Sequence, residues 1–310
     1  MKGVVVTGIV LGAIVVGVTG FEMVRNPERD TIDDAVRKTA PGKFVRLSDG
    51  FTHYDVSGPD SGRAVVLVHG FSVPYYIWDS TAKALAAAGD RVIRYDEYGR
   101  GFSDRPTLPY NADLYDRQLH ELLDSLHVPR ADVAGVSMGG WVTATFVSRH
   151  PNRVRTLMLV DPVTGTANRL GGLYAVPLIG DYIWQTLAVP RMAEGQFGDL
   201  LRPEKFPDWA DRYRVQMQYR GFGHALLSTR RSIAGMSMDS VYHAVGRTGV
   251  PTLILWGVAD RTVPFETNMS VRHAIPAAEF HAIEGAAHLP ILEQAPRTDS
   301  LMLAFMAAHP

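Results

Sequence analysis

An α/β architecture is predicted for this chain, with a mostly parallel central sheet, helices on both faces and an inserted, mainly helical cap. Three observations predict it. Short apolar runs rich in β-branched residues, such as AVVLV at 64–68 and TLILW at 252–256, read as strands covered on both faces. Helical patterns alternate with these runs, as a parallel sheet requires, because each crossover must return the chain to the same edge. The alternation stops over 164–246 and then resumes, which marks an insertion.

In chain order, KFVRL and FTHYDV alternate around Ser48-Asp49-Gly50, a hairpin signal, and AVVLV follows. Residues 77–88 suit a helix ending at Gly89, RVIRY (91–95) a strand and 111–127 an amphipathic helix. ADVAG (131–135) is a short strand, 138–149 a helix and VRTLMLV (154–160) a strand. The stretch 164–246 is rich in Tyr, Trp, Phe and Met and is broken at Pro190, Pro203 and Pro207. TLILW, a helix near 266–275, AEFHAI (278–283) and a final helix from about 290 complete the second half. The expected core is therefore 43–163 with 247–310, and the cap 164–246.

The 310 residues are 46% hydrophobic and 20% charged, an ordinary globular balance with material for a large core. Net charge is -1 and no long basic block occurs, so nucleic acid is not an expected partner. With no cysteine there is no disulfide, thiolate metal site or cysteine nucleophile. No metal-ligand spacing or phosphate loop is present, and no cofactor is expected.

The N-terminus is of another kind. Gly3–Phe21 carries no charge, and as a helix it would be roughly 28 Å long, near the hydrocarbon thickness of a bilayer. An uncleaved membrane anchor fits that length. A cleaved signal peptide fits the basic start, with Val18 and Gly20 near a cut, and a buried helix is disfavoured by the segment's glycines. The anchor reading leads, so residues 1–21 are expected to localise the protein to the membrane, or to direct export if cleaved. Residues 22–42 are polar, end in Ala40-Pro41-Gly42 and read as a linker.

The strongest local signal is Gly135-Val136-Ser137-Met138-Gly139, a G-x-S-x-G between a predicted strand and a predicted helix. In that frame the serine sits on a strained turn, small flanking residues admit close backbone packing, and the helix N-terminus favours a developing anion. His69-Gly70-Phe71 directly follows the AVVLV strand. The backbone N–H groups of Phe71 and Met138 would form a two-donor oxyanion hole.

A serine hydroxyl needs a base, and the base needs an orienting acid. Of eleven histidines, His288 lies in a small-residue loop (GAAH) just after the last strand, whereas His281 lies within a strand pattern. Asp260 follows TLILW in a strand-end loop, and Ser137, Asp260, His288 is the chain order that the nucleophile-elbow arrangement requires. Asp161, after VRTLMLV, is the rival acid. Asp96, at another strand end, lies outside the order and reads as structural. Trp141 is expected to be buried. Of the cap side chains Trp184, Trp209, Tyr213, Tyr219, Phe222, Met192, Met217, Met236 and Met238, most should pack and some should line an apolar acyl pocket.

HGF at 69–71, DEYGRGFS at 96–103, GVSMGG at 135–140, the WGVAD loop and the GAAH loop occur in order over about 43–310. With these motifs the chain resembles α/β-hydrolase-fold serine hydrolases, similar to carboxylesterases and monoacylglycerol lipases. Haloalkane dehalogenases and epoxide hydrolases use an aspartate where Ser137 stands, and the epoxide group tends to carry HGxP where Ser72 follows Phe71. The resemblance implies hydrolysis of a small-molecule carboxylic ester through an acyl-enzyme, and the apolar cap together with the membrane-directed start suggests apolar acyl chains or lipid esters as substrates. C–C bond hydrolase, thioesterase, lactonase and perhydrolase activities share the same triad and stay open, as does a silent binding protein on this fold.

Overall fold

The computed structural model describes Gly17, residues 19–165 and residues 171–310. Eight strands form one sheet: β1 Lys43–Leu47, β2 Gly50–Ser57, β3 Ala64–Val68, β4 Arg91–Tyr95, β5 Ala131–Val136, β6 Val154–Val160, β7 Thr252–Gly257 and β8 Glu279–Ile283. Their order is β1-β2-β4-β3-β5-β6-β7-β8. The hairpin β1–β2 and the β2–β4 pair are antiparallel, and every pair from β4 to β8 is parallel.

The apolar runs have no polar alternation because both faces are covered. Val66 and Val68 of β3, with Ile254 and Trp256 of β7, pack against helices Ala112–Ser125, Met138–Arg149 and Asp239–Gly246. Val65, Leu67, Leu253 and Leu255 face the other layer, against helices Asp79–Ala87 and Ala295–Ala308. Full burial of each such side chain contributes about 1.5–3 kcal/mol, so a strand with two apolar faces needs two layers. The predicted final helix is two, Pro290–Glu293 and Ala295–Ala308, parted at Gln294.

Between β6 and β7 the described chain forms short helices and turns, the longer ones being Trp209–Met217, Phe222–Ile233 and Asp239–Gly246. Trp184, Trp209, Tyr213, Phe222 and Leu226 join Val73 and Ile77 in one buried cluster. These aromatics therefore hold the insertion down onto the segment that follows β3.

Two expectations about the N-terminus change. Among the described residues no helix is long and apolar enough to cross a membrane, which overturns the anchor and transmembrane reading of Gly3–Phe21 and the membrane localisation drawn from it. The described end of that segment is helical from Thr19 to Arg25, and Glu22 and Arg25 place charge on it. Residues 1–16 and Val18 lie outside the described residues, and with them most of the signal-peptide reading. Residues 26–40 are also not a free linker. Asp33 caps the helix Asp34–Thr39 through Ala35 and Val36 N–H, and Arg37 pairs with Asp104 at 2.7 Å.

Glu28 is the firmest tie. Its carboxylate accepts from Gly221 N (2.6 Å) and Gly223 N (2.8 Å) at the start of helix Phe222–Ile233, and from Gln185 Nε2 at 2.8 Å. A carboxylate there satisfies orphan amides and complements the helix dipole. Glu28→Ala is expected to cost about 1 kcal/mol, read as a fall in Tm of about 2 °C in thermal unfolding. An unchanged Tm would remove this contact from the account of how the segment is held.

Candidate active site

Ser137 stands between β5 and the helix Met138–Arg149 with φ 55° and ψ -121°, a conformation costly for a residue with a Cβ. Close packing enforces it. A Cβ on Gly135 would lie 2.2 Å from Gly139 O, and one on Gly139 would lie 2.3 Å from His69 O. Only glycines let the helix backbone approach β3 and β5 so closely. The turn is pinned to β6, since Ser137 N donates to Val160 O (2.9 Å) and Val163 N to Ser137 O (3.2 Å).

The loop after β3 lies against the serine, where a Cβ on Gly70 would come within 3.2 Å of Ser137 Cβ. Residues to which the sequence reading gave no such role hold that loop. The fully buried Arg100 donates from Nε to Phe71 O (2.9 Å) and from Nη2 to Thr229 Oγ1 (2.9 Å). Gln216 Nε2 donates to Ser72 O (2.7 Å) while its Oε1 accepts from Gly101 N (2.9 Å). Both residues tie the loop carrying Phe71 to helices of the insertion. Arg100 belongs to the DEYGRGFS motif, but nothing in sequence pairs it with Phe71 or Thr229.

His288 is buried, and its Nδ1 lies 2.8 Å from Asp260 Oδ2. A carboxylate only accepts, so Nδ1 carries the proton and Nε2 keeps its lone pair. The other Asp260 oxygen accepts from Thr262 N (2.8 Å) and Val263 N (3.0 Å). Burial pulls the His288 pKa down, but the hydrogen bond and charge of Asp260, with the charge of Asp199, outweigh it and leave it above 6.5.

Ser137 and His288 line one cavity of about 440 Å³ with Phe71, Trp184, Met192 and Tyr213. A second cavity of about 450 Å³ also reaches Ser137, between Met138, Val163, Ile233, Met238, Val263 and Pro264. Among the described residues the Ser137 hydroxyl makes no hydrogen bond to the imidazole, which such sites commonly tighten only with substrate bound. Arg230 borders both cavities. Its guanidinium lies 5.6 Å from the Trp184 ring, and among the described residues it has no carboxylate partner.

The remaining candidates separate cleanly. His281 bonds Glu279 at 2.6 Å on β8 and lines neither cavity. Asp96 accepts from Tyr75 N after β3, from His53 Nδ1 on β2 and from Phe102 N of its own loop, a carboxylate saturated by structural bonds. It borders a different cavity of about 520 Å³, which includes none of Ser137, Asp260 or His288. Trp141 is buried, and of the nine aromatic and methionine candidates in the insertion Trp184, Met192, Tyr213 and Met238 reach the two cavities. Asp161 is fully buried and lies within 4.8 Å of both Asp260 and His288, measured between their polar atoms.

Known proteins agree with this architecture. The chain is 28% identical over 272 residues to a putative non-heme haloperoxidase of Mycobacterium phage D29, covering 86% of this chain and 95% of that protein. It is 27% identical over 297 residues to a 2-hydroxy-6-oxononadienedioate/2-hydroxy-6-oxononatrienedioate hydrolase of Paraburkholderia phymatum, covering 87% and 96%. In structure it is similar to the enol-lactonase from Burkholderia xenovorans LB400, with a TM-score of 0.73, 21% identity and coverage of 85% and 99%. Residues 63–295 match the family model described as alpha/beta hydrolase fold, and the chain belongs to that family of hydrolases.

Proposed function

We propose that this hydrolase works through Ser137 as nucleophile, His288 as general base and Asp260 as its orienting acid, on a carbon–carbon or lactone bond bearing an anionic group. The observation that carries the mechanism is the His288–Asp260 hydrogen bond of 2.8 Å beside a cavity that His288 shares with Ser137. His288 Nε2 takes the hydroxyl proton as Ser137 Oγ attacks a carbonyl carbon. Charge then develops on the carbonyl oxygen, within the field of the helix N-terminus and of the Phe71 and Met138 N–H groups.

The imidazolium, steadied by Asp260, returns that proton to the leaving atom. A carbon leaving group departs as an enolate when it is conjugated to a second carbonyl, and it takes the proton at carbon. Water then attacks the acyl-serine with His288 again as base, so one water is consumed and the serine is restored.

The choice of bond rests on Arg230. Arg230 is exposed and borders both cavities that Ser137 lines, and a guanidinium with no carboxylate partner among the described residues favours a substrate carboxylate. The Paraburkholderia relative is named for a dioate carrying an oxo group, which combines such an anion with an attackable carbonyl. The apolar lining of the second cavity favours a second reading, a carboxylic ester with an apolar acyl chain. Lipid esters drew part of their support from the membrane reading and are not carried forward.

A fluorophosphonate probe is expected to label the wild type and not Ser137→Ala; equal labelling of both would remove Ser137 as nucleophile. Because only neutral imidazole accepts a proton, kcat/KM is expected to fall with decreasing pH through a midpoint above 6.5. An acid limb centred below that value would count against His288 as base. In a panel of carboxylated oxo-dienes, lactones and neutral p-nitrophenyl esters, Arg230→Ala is expected to raise KM about tenfold for the carboxylated compounds and leave neutral esters within about twofold. Turnover of the neutral esters alone, indifferent to this substitution, would favour the ester reading.

A further inference from the structure

The buried carboxyl of Asp161 has no role in the mechanism above, yet it stands against the acid that orients the base. It follows β6 in a backbone conformation with φ 42°, rare for a residue with a side chain. Two bonds to β7 hold it there: Asp161 N donates to Leu255 O (3.0 Å), and Gly257 N donates to Asp161 Oδ1 (2.8 Å). The other oxygen, Oδ2, is buried and has no hydrogen-bond donor among the described residues. Polar atoms of Asp161, Asp260 and His288 all lie within 4.8 Å of one another.

Two carboxylates so close in a buried site strongly disfavour double ionisation. Their surroundings decide which keeps the charge. Asp260 receives three donors, Thr262 N, Val263 N and His288 Nδ1, which together stabilise an anion. Asp161 receives one, from Gly257 N. Burial, and then the negative charge of Asp260, push the Asp161 carboxyl well above the usual carboxylate range. Glu293 adds negative charge beside Asp161 and Asp199 beside His288, so these neighbours further disfavour a second ionised carboxylate.

We propose that Asp161 is a positioning residue that stays neutral and donates from its carboxylic O–H to Asp260, so that the two carboxyls hold one proton between them behind His288. The proton gives the Asp161 oxygen its missing bond. It also leaves the imidazole facing one negative charge in this pair rather than two, and the donated bond tempers how strongly Asp260 holds the imidazolium. Asp161 thereby sets the pH at which His288 becomes a base. This role rests on the triad reading, whereas the protonation state can be read without it.

Infrared difference spectra at neutral pH should contain a protonated-carboxyl carbonyl band that Asp161→Asn removes. Glu97, its carboxyl buried with no hydrogen-bond partner among the described residues and pushed up to about 8 by burial, supplies a second such band, assigned by Glu97→Gln. The asparagine keeps both a donor toward Asp260 and an acceptor for Gly257 N. The pH dependence of fluorophosphonate labelling, which needs no natural substrate, should therefore keep its acid limb within about 0.3 units in Asp161→Asn. Asp161→Ala, which loses the donor, should move the limb upward by about half a unit to one unit. Should the alanine variant not fold, the band and the asparagine variant still decide. No band lost in Asp161→Asn, or a limb moved down by about a unit, would mean an ionised Asp161 and would overturn the proposal.

Discussion

The close approach of one helix backbone to the middle of the sheet is the constraint on which the site depends. Gly135 and Gly139 leave no room for a Cβ between β5, the helix Met138–Arg149 and the His69 carbonyl. That contact forces the turn at Ser137 into its unusual conformation, points the residue into the mouths of two cavities and brings Gly70 alongside. The strain at Ser137 is sustained because β5 is buried throughout and β6 at all but Arg155, so neither can relax independently.

Around this elbow the polar groups are deployed in pairs across elements. Arg100 and Gln216 link the Phe71 loop to helices of the insertion, so the position of that loop and the position of the insertion are not independent. Asp260 is held by its own loop and by His288, which comes from the next loop along the same sheet edge. A parallel sheet makes this economical, since the ends of β3, β5, β6 and β7 all lie on one side and each can deliver a group to a shared space.

Much of this was legible in the chain because the relevant signals are local. The runs AVVLV, RVIRY and VRTLMLV became β3, β4 and β6 with the predicted bounds, their two-sided apolar character being a direct consequence of burial on both faces. The hairpin around Ser48-Asp49-Gly50 and the serine turn were equally readable, since each depends on residues adjacent in sequence. The N-terminal reading went astray for the opposite reason. Apolar length describes what a segment could do in a bilayer and is silent on what its polar sequel touches. The ties of Asn26, Glu28 and Arg37 join residues far apart in the chain.

Sequence alone determined the fold class and placed Asp260 and His288 on neighbouring strand-end loops, which the parallel sheet carries to one edge where the two side chains hydrogen-bond. Tertiary structure alone decided that Asp161 accompanies Asp260, that Arg230 borders both cavities reaching Ser137 with no carboxylate partner among the described residues, and that Arg100 reaches both Phe71 and Thr229. The physical reason is range. Periodicity and turn chemistry act over a few neighbouring residues, whereas the state of a charge depends on every group that packing brings within a few ångströms.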